Sequence, residues 1–298
     1  MADDLERRLE SFSKALQNEF PSNSSQYRKR LGLVRKYGPY TPEEIDELIC
    51  LSQKRLNGDN HFSEEKIRRV ASFLLILDVN ENWLKRTFSD QVDFFDPHAG
   101  IDRTTGSKVI GNSIDYGYLW RDQFTPNFRK SLEELEKFVN YGESQRVLHA
   151  LNGRGNEAMF MAGRWSNTQV YSLDACAYNM REALDILEDE SDGGAVYDNF
   201  HLLMADARKS QQGIPLDDHS VDRVFLLGLA LASLVPNEPY EIMKEALRIL
   251  SRKRGILIFD EYKIDKPTQR ALQSNDLKKL FEGKFASFLY PLHIYGFE

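Results

Sequence analysis

Apolar residues recur at helical spacing over about the first ninety positions of the chain. The first predicted helix places its apolar residues three or four positions apart: Leu5, Leu9, Phe12, Leu16 and Phe20. A second helix is predicted from Thr41, where Pro42 suits the first turn and Glu44 completes a capping box. Ser63 is the predicted cap of a third helix, and a short fourth helix surrounds Trp83. The pattern predicts an all-helical N-terminal region.

Residues 94–127 lose this periodicity and are rich in glycine and aromatic residues. The aromatic rings include Tyr116, Tyr118, Trp120 and Phe124. A long irregular connection is typical of a lid or a binding loop, whereas aromatic rings also fill the interfaces between domains, and both interpretations stay open. A helix is predicted next, over residues 125–138.

From residue 146 onwards, short apolar runs alternate with helical patterns. The first strand, over residues 147–151, leads into a turn with Gly153 and Gly155 and then into a helix. Strands follow over residues 170–174, 201–204, 223–227 and 255–259, helices over 180–187, 242–250 and 272–281, and one or two final strands over 285–297. This alternation predicts a parallel sheet whose ligands bind beyond the carboxyl ends of its strands.

The whole pattern predicts an α/β fold. We expect a doubly wound, mostly parallel, Rossmann-like sheet with helices on both faces, preceded by the all-helical N-terminal region. Residues 1–108 are assigned to the helical region, which would act as a cap or bind a substrate. Residues 109–298 are assigned to the Rossmann-like domain.

Composition and charge narrow the classes of partner. Of the 298 residues, 41% are hydrophobic and 29% are charged, which is typical of a globular protein with a sizeable core. The net charge of −7 argues against nucleic acid as a partner, because nucleic-acid-binding faces need clustered Lys and Arg. One basic run is interpreted as a solvated helix face: Arg28, Lys29, Arg30, Arg35 and Lys36.

Cysteines, histidines and the N-terminus bear on metal sites and location. Cys50 and Cys176 lie far apart and outside any CxxC motif, so neither a disulfide framework nor a zinc site is predicted. The six histidines are scattered, and no metal is expected. The start of the chain is charged where a signal peptide would be apolar, and no apolar run reaches membrane-spanning length. We therefore expect a cytoplasmic protein with no membrane partner, and its oligomeric state is not predicted.

Five passages follow one another in a characteristic order. The first is residues 147–155 with its two glycines, and the others are VYSLDA, MADA, IPLDDHSVDRVFLL and EALRILSRKRGILIFDEY, which begin at residues 170, 204, 214 and 245. In order and spacing they resemble the motifs of class I S-adenosylmethionine-dependent methyltransferases, and the resemblance covers roughly residues 110–298. The resemblance implies S-adenosylmethionine as the cofactor and a small molecule or a protein as the methyl acceptor.

The resemblance also implies which residues bind the cofactor. Asp174 would accept hydrogen bonds from the ribose hydroxyls, Asp206 would meet the adenine amino group, and Gly153 would approach the methionine part. The full set of implied cofactor-binding residues is Asn152, Gly153, Gly155, Asp174, Ala175, Asp206 and Ala207. By residue type alone Asp174 is also a candidate helix cap, and Asp222, at the start of a strand, is interpreted as structural.

The sequence departs from the family's pattern in three places. His149 stands where the family usually has an acid, which removes a partner for the ammonium group of the cofactor. Leu151 stands where the family usually has the first of three glycines. Only 14 residues follow Lys284, which predicts an abbreviated final hairpin.

Three functions of different classes therefore stay open. The first is S-adenosylmethionine-dependent methyl transfer. The second is a nicotinamide-dependent oxidoreductase, because Gly153-x-Gly155-x-x-Ala158 followed by Asp174 also matches a dinucleotide fingerprint. The third is a catalytically silent relative that keeps the fold in order to bind a partner. No catalytic residue is assigned, and the side chains considered for acid–base chemistry are Asp115, Tyr116, Tyr118 and His149.

Overall fold

The computed structural model describes residues 2–19, 26–58, 61–88, 130, 134–135, 146–151, 153, 155–192, 197–208, 213–227, 238–260, 264–283 and 291–297. These residues fall into two compact units. The first unit holds the described residues of 1–99 and 176–196, and the second holds those of 100–175 and 197–298. The predicted boundary at residues 108 and 109, the aromatic stretch and most of the helix predicted over 125–138 lie outside the described residues.

Helices precede the sheet along the chain and then alternate with its strands. The described helices are α1 (Ala2–Glu19), α2 (Gln26–Tyr37), α3 (Pro42–Leu56), α4 (Glu64–Ile76), α5 (Glu81–Thr87), α6 (Asn156–Arg164), α7 (Ala177–Asp192), α8 (Glu238–Ile249) and α9 (Lys266–Ser274). The described strands are β1 (Arg146–Ala150), β2 (Gln169–Asp174), β3 (Phe200–Met204), β4 (Arg223–Leu226), β5 (Ile256–Asp260), β6 (Lys278–Gly283) and β7 (Leu292–Gly296). Helices α1 to α5 and α7 belong to the first unit, and the remaining elements belong to the second.

Two helices of the first unit begin where the sequence predicts. The Thr41 hydroxyl accepts a hydrogen bond from the Glu44 N–H at 3.3 Å, and the Glu44 carboxylate accepts one from the Thr41 N–H at 2.9 Å. This reciprocal pair is the predicted capping box of α3. Ser63 caps α4 through the Lys66 N–H at 3.4 Å. Apolar side chains from several helices form the buried core of this unit: Phe12, Leu16, Tyr27, Val34, Ile45, Leu48, Val70, Phe73 and Leu74.

Helix α2 carries the basic run for which the sequence predicts a solvated face. That prediction is wrong for Arg30, whose side chain is only 2% exposed. The Arg30 guanidinium pairs with Asp185, and its Nε lies 3.0 Å from Glu188 Oε2. Both acids belong to α7, and a buried guanidinium is tolerated because opposite charges meet it.

Helix α7 groups with the first unit, although the sequence assigns residues 109–298 to one domain. Side chains of α7 form ion pairs with charged residues on other parts of the first unit. Besides the pairs with Arg30, Lys29 Nζ lies 3.2 Å from Glu188 Oε1, and Arg181 Nε lies 3.4 Å from Asp78 Oδ1. Pairs between residues this far apart in sequence have no signature in local periodicity.

The second unit is built on a seven-stranded sheet with the order β3-β2-β1-β4-β5-β7-β6. The pairs β1–β2, β1–β4, β2–β3 and β4–β5 are parallel. Strand β7 runs antiparallel to both of its neighbours, β5 and β6. The sheet is therefore mostly parallel, and the predicted α/β fold is confirmed.

Helices cover both faces of this sheet. Successive side chains of a strand point to opposite faces, so Leu148 and Ala150 share one face and Val147 and His149 the other. The face of Leu148 forms a continuous core with residues of α8 and α9: Ile242, Met243, Ala246, Ile249 and Leu272. On the other face α6 packs close to β2, where a Cβ on Gly155 would lie 3.1 Å from Ser172 Oγ.

The C-terminal part of the sheet differs from the prediction. The helix predicted over residues 272–281 is wrong, because α9 spans Lys266–Ser274 and is followed by strand β6, Lys278–Gly283. The Asp265 carboxylate caps α9 through the Thr268 N–H at 2.7 Å, and Asp276, with a φ of 58°, turns the chain out of the helix. Strand β6 thus lies before Lys284 and pairs with β7, so the prediction of an abbreviated hairpin is wrong.

Strand β6 is the outermost strand of the described sheet. Its residues Lys278 and Lys279 are exposed, and Leu280 is 47% exposed. The pairing with β7 shifts in register between Lys279 and Phe281, which marks a β-bulge or irregularity at Leu280.

Two charged residues on α8 hold the passage that begins at Ile214. The buried Glu245 carboxylate accepts a hydrogen bond from the Ile214 N–H at 3.0 Å and from Arg248 Nη2 at 2.8 Å. The Arg248 guanidinium also donates to the carbonyls of Ile214, at 2.6 Å, and Leu216, at 2.9 Å. Two of the passages that resemble family motifs are therefore joined by one network, whose role is structural.

Asp222 has the structural role that the sequence predicts. Its Oδ1 accepts from Arg254 Nε at 2.7 Å, and its Oδ2 accepts from Arg254 Nη2 at 3.1 Å and from the Arg146 N–H at 3.2 Å. This bidentate pair ties together the amino ends of β1, β4 and β5.

We predict that Glu245→Ala lowers the free energy of unfolding by about 3 kcal/mol, because it leaves the buried Ile214 N–H without its acceptor and removes the buried carboxylate that pairs with Arg248. Urea unfolding followed by circular dichroism measures the change. Glu241→Ala is the matched control, since Glu241 lies on the same helix and, within the described residues, its ion pair is with the partly exposed Lys244 at 3.1 Å. Equal stability of the two variants would contradict the proposed importance of the network.

Candidate functional site

The carboxyl ends of β1, β2 and β3 bring most of the predicted cofactor-binding residues together. Strand β2 ends at Asp174, which is paired in register with Met204, the last residue of β3. The Ala205 N–H donates to the Asp174 carbonyl at 3.2 Å, so Asp206 and Ala207 follow directly beyond this edge. Ligands of parallel α/β sheets bind at this edge.

The turn after β1 has a left-handed backbone at three positions. The φ angles are 59° at Leu151, 54° at Gly153 and 79° at Gly155. A Cβ at Gly153 would meet nothing within 4 Å, whereas one at Gly155 would crowd Ser172 Oγ at 3.1 Å. Gly155 therefore serves both the backbone angle and the close packing of α6 on β2. Asn152 and Arg154 lie outside the described residues.

Leu151 takes the conformation that glycine would adopt more easily. Left-handed backbone costs a residue with a Cβ roughly 1–2 kcal/mol. The Leu151 side chain recovers part of this cost because it packs against the sheet core. The replacement of a glycine by leucine therefore leaves the path of the turn intact and adds strain to it.

Asp174 joins the end of β2 to the glycine turn. Its Oδ2 accepts a hydrogen bond from the Gly153 N–H at 2.9 Å. Two predicted cofactor-binding residues are thus in direct contact, 21 positions apart in sequence. This hydrogen bond holds the glycine turn against the end of β2.

Asp206 is bound by Arg208, an arginine that the sequence pattern does not single out. Its Oδ1 accepts from the Arg208 N–H at 3.0 Å and from Arg208 Nε at 2.8 Å, and its Oδ2 pairs with Arg208 Nη2. Ala207 between them is buried, and Ala175 at the end of β2 is partly buried. The triplet Asp-Ala-Arg is the sequence signal from which this pair could have been proposed.

His149 is a core residue. Its side chain is 1% exposed, and its ring stacks on Phe225 with the centroids 5.8 Å apart. Burial lowers the pKa of His149 to about 3, so the ring is neutral near pH 7. A neutral ring inside the sheet does not replace the charge of the acid that the family usually has there. The other side chains considered for acid–base chemistry, Asp115, Tyr116 and Tyr118, lie outside the described residues.

Glu157 is the second feature that sequence reasoning missed. It is the second residue of α6, two positions after Gly155, and it is partly buried. Burial raises the pKa of Glu157 to about 7. The signal in the sequence is an acid in the first helical turn after a glycine turn, which looks like an ordinary helix-start preference.

Similarity to known proteins is found among solved structures. No family model matches the chain, and no curated protein matches it either. Among solved structures, the chain is similar to a SAM-dependent methyltransferase from Aquifex aeolicus, with 18% identity, a TM-score of 0.41 and coverage of 55% of this chain and 87% of that one.

Two further solved structures illustrate the range of similar proteins. Geranyl diphosphate C-methyltransferase from Streptomyces coelicolor A3(2) has 12% identity and a TM-score of 0.42, and the match covers 56% of this chain and 77% of that one. The cyclase SpnF has 16% identity and a TM-score of 0.42, with coverage of 53% and 60%. Similarity at this level says nothing about the activity of this chain.

The order and directions of the seven strands fix the fold class. The second unit has a Rossmann-like α/β fold. Its parallel strands place the glycine turn and both acids at one edge, as the sequence predicts. The chemistry at that edge is a separate question, because one fold hosts many activities.

The described part of the chain contains neither a membrane-spanning helix nor a cluster of metal ligands. None of the helices described is long and apolar enough to cross a bilayer. Within the same residues no group of three or more His, Cys, Asp or Glu side chains is placed to hold a metal ion.

We predict that acid destabilises this protein partly through His149. The unfolded chain binds a proton on His149 near pH 6.5, whereas the folded chain does not until about pH 3, so stability falls as the pH decreases between these values. Lowering the pH from 7 to 5 should cost the wild type about 2 kcal/mol more than His149→Phe, which keeps an aromatic ring. Urea unfolding at both pH values measures this difference. His219→Asn, which removes an exposed imidazole, should behave like the wild type, and an equal loss in His149→Phe would contradict the assignment.

Proposed function

We propose that the protein transfers a methyl group from S-adenosylmethionine to a small-molecule or protein acceptor. The observation that carries the proposal is the hydrogen bond from the Gly153 N–H to Asp174 Oδ2 at the carboxyl edge of the sheet. It holds an acid at a strand end next to a glycine turn, which is the arrangement that a ribose and its neighbouring groups require.

The residues at this edge fit the cofactor in three parts. Asp174 would accept hydrogen bonds from the ribose hydroxyls with oxygen lone pairs not used by Gly153. Asp206 would meet the adenine amino group, with Ala175 and Ala207 beside the ring. Asn152, Gly153 and Gly155 would approach the methionine part.

The start of α6 would add a site for the carboxylate of the cofactor. Gly155 is the N-cap of this helix, and it has no side chain to accept hydrogen bonds from the first N–H groups. The first N–H groups of a helix lack intrahelical acceptors and carry a partial positive charge. Carboxylates bind at such helix starts, so the methionine carboxylate is a fitting partner.

The chemistry itself makes few demands on the protein. The cofactor supplies an electrophilic methyl group on a sulfonium, and the acceptor supplies the attacking lone pair. Alignment of the two is sufficient when the acceptor is already a nucleophile. We propose that the helical region at residues 1–108 contributes to acceptor binding, that residues 109–298 hold the cofactor, and that the protein acts in the cytoplasm.

A second candidate function is partner binding without catalysis. The observation that favours it is the bidentate pair of Arg208 with Asp206, which uses the acid that would meet adenine. The strained Leu151 in the turn points in the same direction, because it stands where the family usually has glycine. This alternative predicts that the fold is intact and that nucleotide cofactors do not bind.

We predict that Asp174→Ala weakens S-adenosylhomocysteine binding about ten- to hundredfold, because each hydrogen bond to a carboxylate contributes about 1.5–3 kcal/mol. Calorimetry with S-adenosylmethionine, S-adenosylhomocysteine and NAD measures the affinities. Asp174→Asn keeps an oxygen for the Gly153 N–H and separates loss of the ribose acceptor from disorder of the turn.

Asp276→Asn is the control, because it removes an exposed carboxylate of the same unit that lies far in sequence from the glycine turn, and asparagine tolerates the positive φ at this position. Binding of NAD alone would overturn the proposal in favour of the oxidoreductase. Absence of binding by all three ligands to the folded wild type would favour the partner-binding protein.

A further inference from the structure

Glu157 is a carboxylate that no other described residue pairs with. It stands two positions after Gly155, at the start of the helix that follows the glycine turn. The side chain is partly buried, yet apart from its own backbone N–H no hydrogen bond or ion pair joins it to any part of the chain that the structure describes. A partly buried carboxylate whose described hydrogen bond is to its own N–H keeps oxygen lone pairs that a ligand can use.

The surroundings of Glu157 hold no compensating cation among the described residues. Helix α6 packs on β1, β2 and β3, on the sheet face that carries Ser172 and Phe200. The ionisable side chains of these strands on that face are His149 and Asp174, because alternate residues share a face. Burial lowers the pKa of His149 to about 3, so it is neutral near pH 7, and Asp174 is bonded to the Gly153 N–H.

Because His149 is neutral, β1 supplies no negative charge to the ammonium group of the proposed cofactor. Its amino-acid part carries an ammonium group as well as a carboxylate. The carboxylate fits the start of α6, and the ammonium requires an anion within a few ångströms of that position. Of the described acids next to the glycine turn and at the ends of β2 and β3, Asp174 is joined to the turn and Asp206 to Arg208, which leaves Glu157 at the start of α6.

We propose that Glu157 is the carboxylate that binds the ammonium group of the cofactor's amino-acid part, in place of the acid missing from β1. This inference rests on the proposed function, and it assigns to a helix residue a role that the sequence pattern places in the strand. Glu157 is thereby a specificity-determining residue, because it distinguishes ligands with the amino acid from ligands without it.

Two ligands that differ only in the amino-acid part test this role. S-adenosylhomocysteine carries the ammonium, and methylthioadenosine keeps the adenosine and the sulfur but lacks it. Glu157→Gln should weaken S-adenosylhomocysteine binding about ten- to hundredfold and leave methylthioadenosine binding unchanged. Glu157→Asp should recover part of the affinity, and Glu241→Gln, on another helix of the same unit, should change neither ligand.

The outcomes separate this inference from the proposed function. If the wild type binds S-adenosylhomocysteine and Glu157→Gln binds it equally well, the inference is overturned and the proposed function stands. If Glu157→Gln weakens both ligands alike, the residue supports the turn and the inference is also overturned. If the wild type binds neither ligand, the proposed function fails and the inference fails with it.

A measurement without ligand provides a second readout. Burial raises the pKa of Glu157 to about 7 in the folded protein, above the ordinary value of 4.5. The ionised carboxylate of Glu157 therefore destabilises the folded state most above pH 7, and this destabilisation disappears as the pH falls towards 4.5. Glu157→Gln should melt at a higher temperature than the wild type at pH 8, and most of this difference should be lost at pH 5. Equal melting at pH 8 would show that the protein itself satisfies this carboxylate, which overturns the inference.

Discussion

The left-handed turn between β1 and α6 is the constraint on which the candidate site depends. Gly155 allows the helix to approach β2 so closely that a single Cβ would press against Ser172. This approach aims the start of α6 at the carboxyl edge and brings the Gly153 N–H onto Asp174. A backbone requirement thus determines where the polar groups of the site lie. Leu151 shows that the requirement concerns the conformation more than the residue type, since it adopts a positive φ despite its side chain.

Charged networks away from this edge hold the rest of the second unit in register. Asp222 and Arg254 tie together the amino ends of three strands, opposite the edge that holds the candidate site. Glu245 and Arg248 secure the chain before β4. Several residues in the most family-like passages are therefore explained by stability, and their presence says little about catalysis.

The sequence predicts the parts of this protein that depend on local pattern. The capping box at Thr41, the strand–turn–helix around Gly155 and the placement of Asp174 all follow from neighbouring residues. The prediction for the basic run is wrong at Arg30, because its pairing with acids distant in sequence leaves no periodic signal. The prediction for the segment after Leu272 is wrong because a short strand directly after a capped helix leaves no such signal either. The burial of Glu157 escapes sequence reasoning for a related reason, since solvent exposure depends on the folded chain, whereas the pairing of Asp206 with Arg208 has a local signal in the Asp-Ala-Arg triplet.

Strand β6 has a consequence for how this protein behaves in solution. An outermost strand offers unpaired backbone groups to any other extended chain, and many proteins protect such edges. In this protein, exposed lysines and the irregular register at Leu280 make the edge charged and uneven. The approach of a second sheet would have to desolvate charged side chains and would find no continuous ladder to extend. The sheet therefore ends in a strand that discourages edge-to-edge aggregation while keeping an apolar residue at its surface.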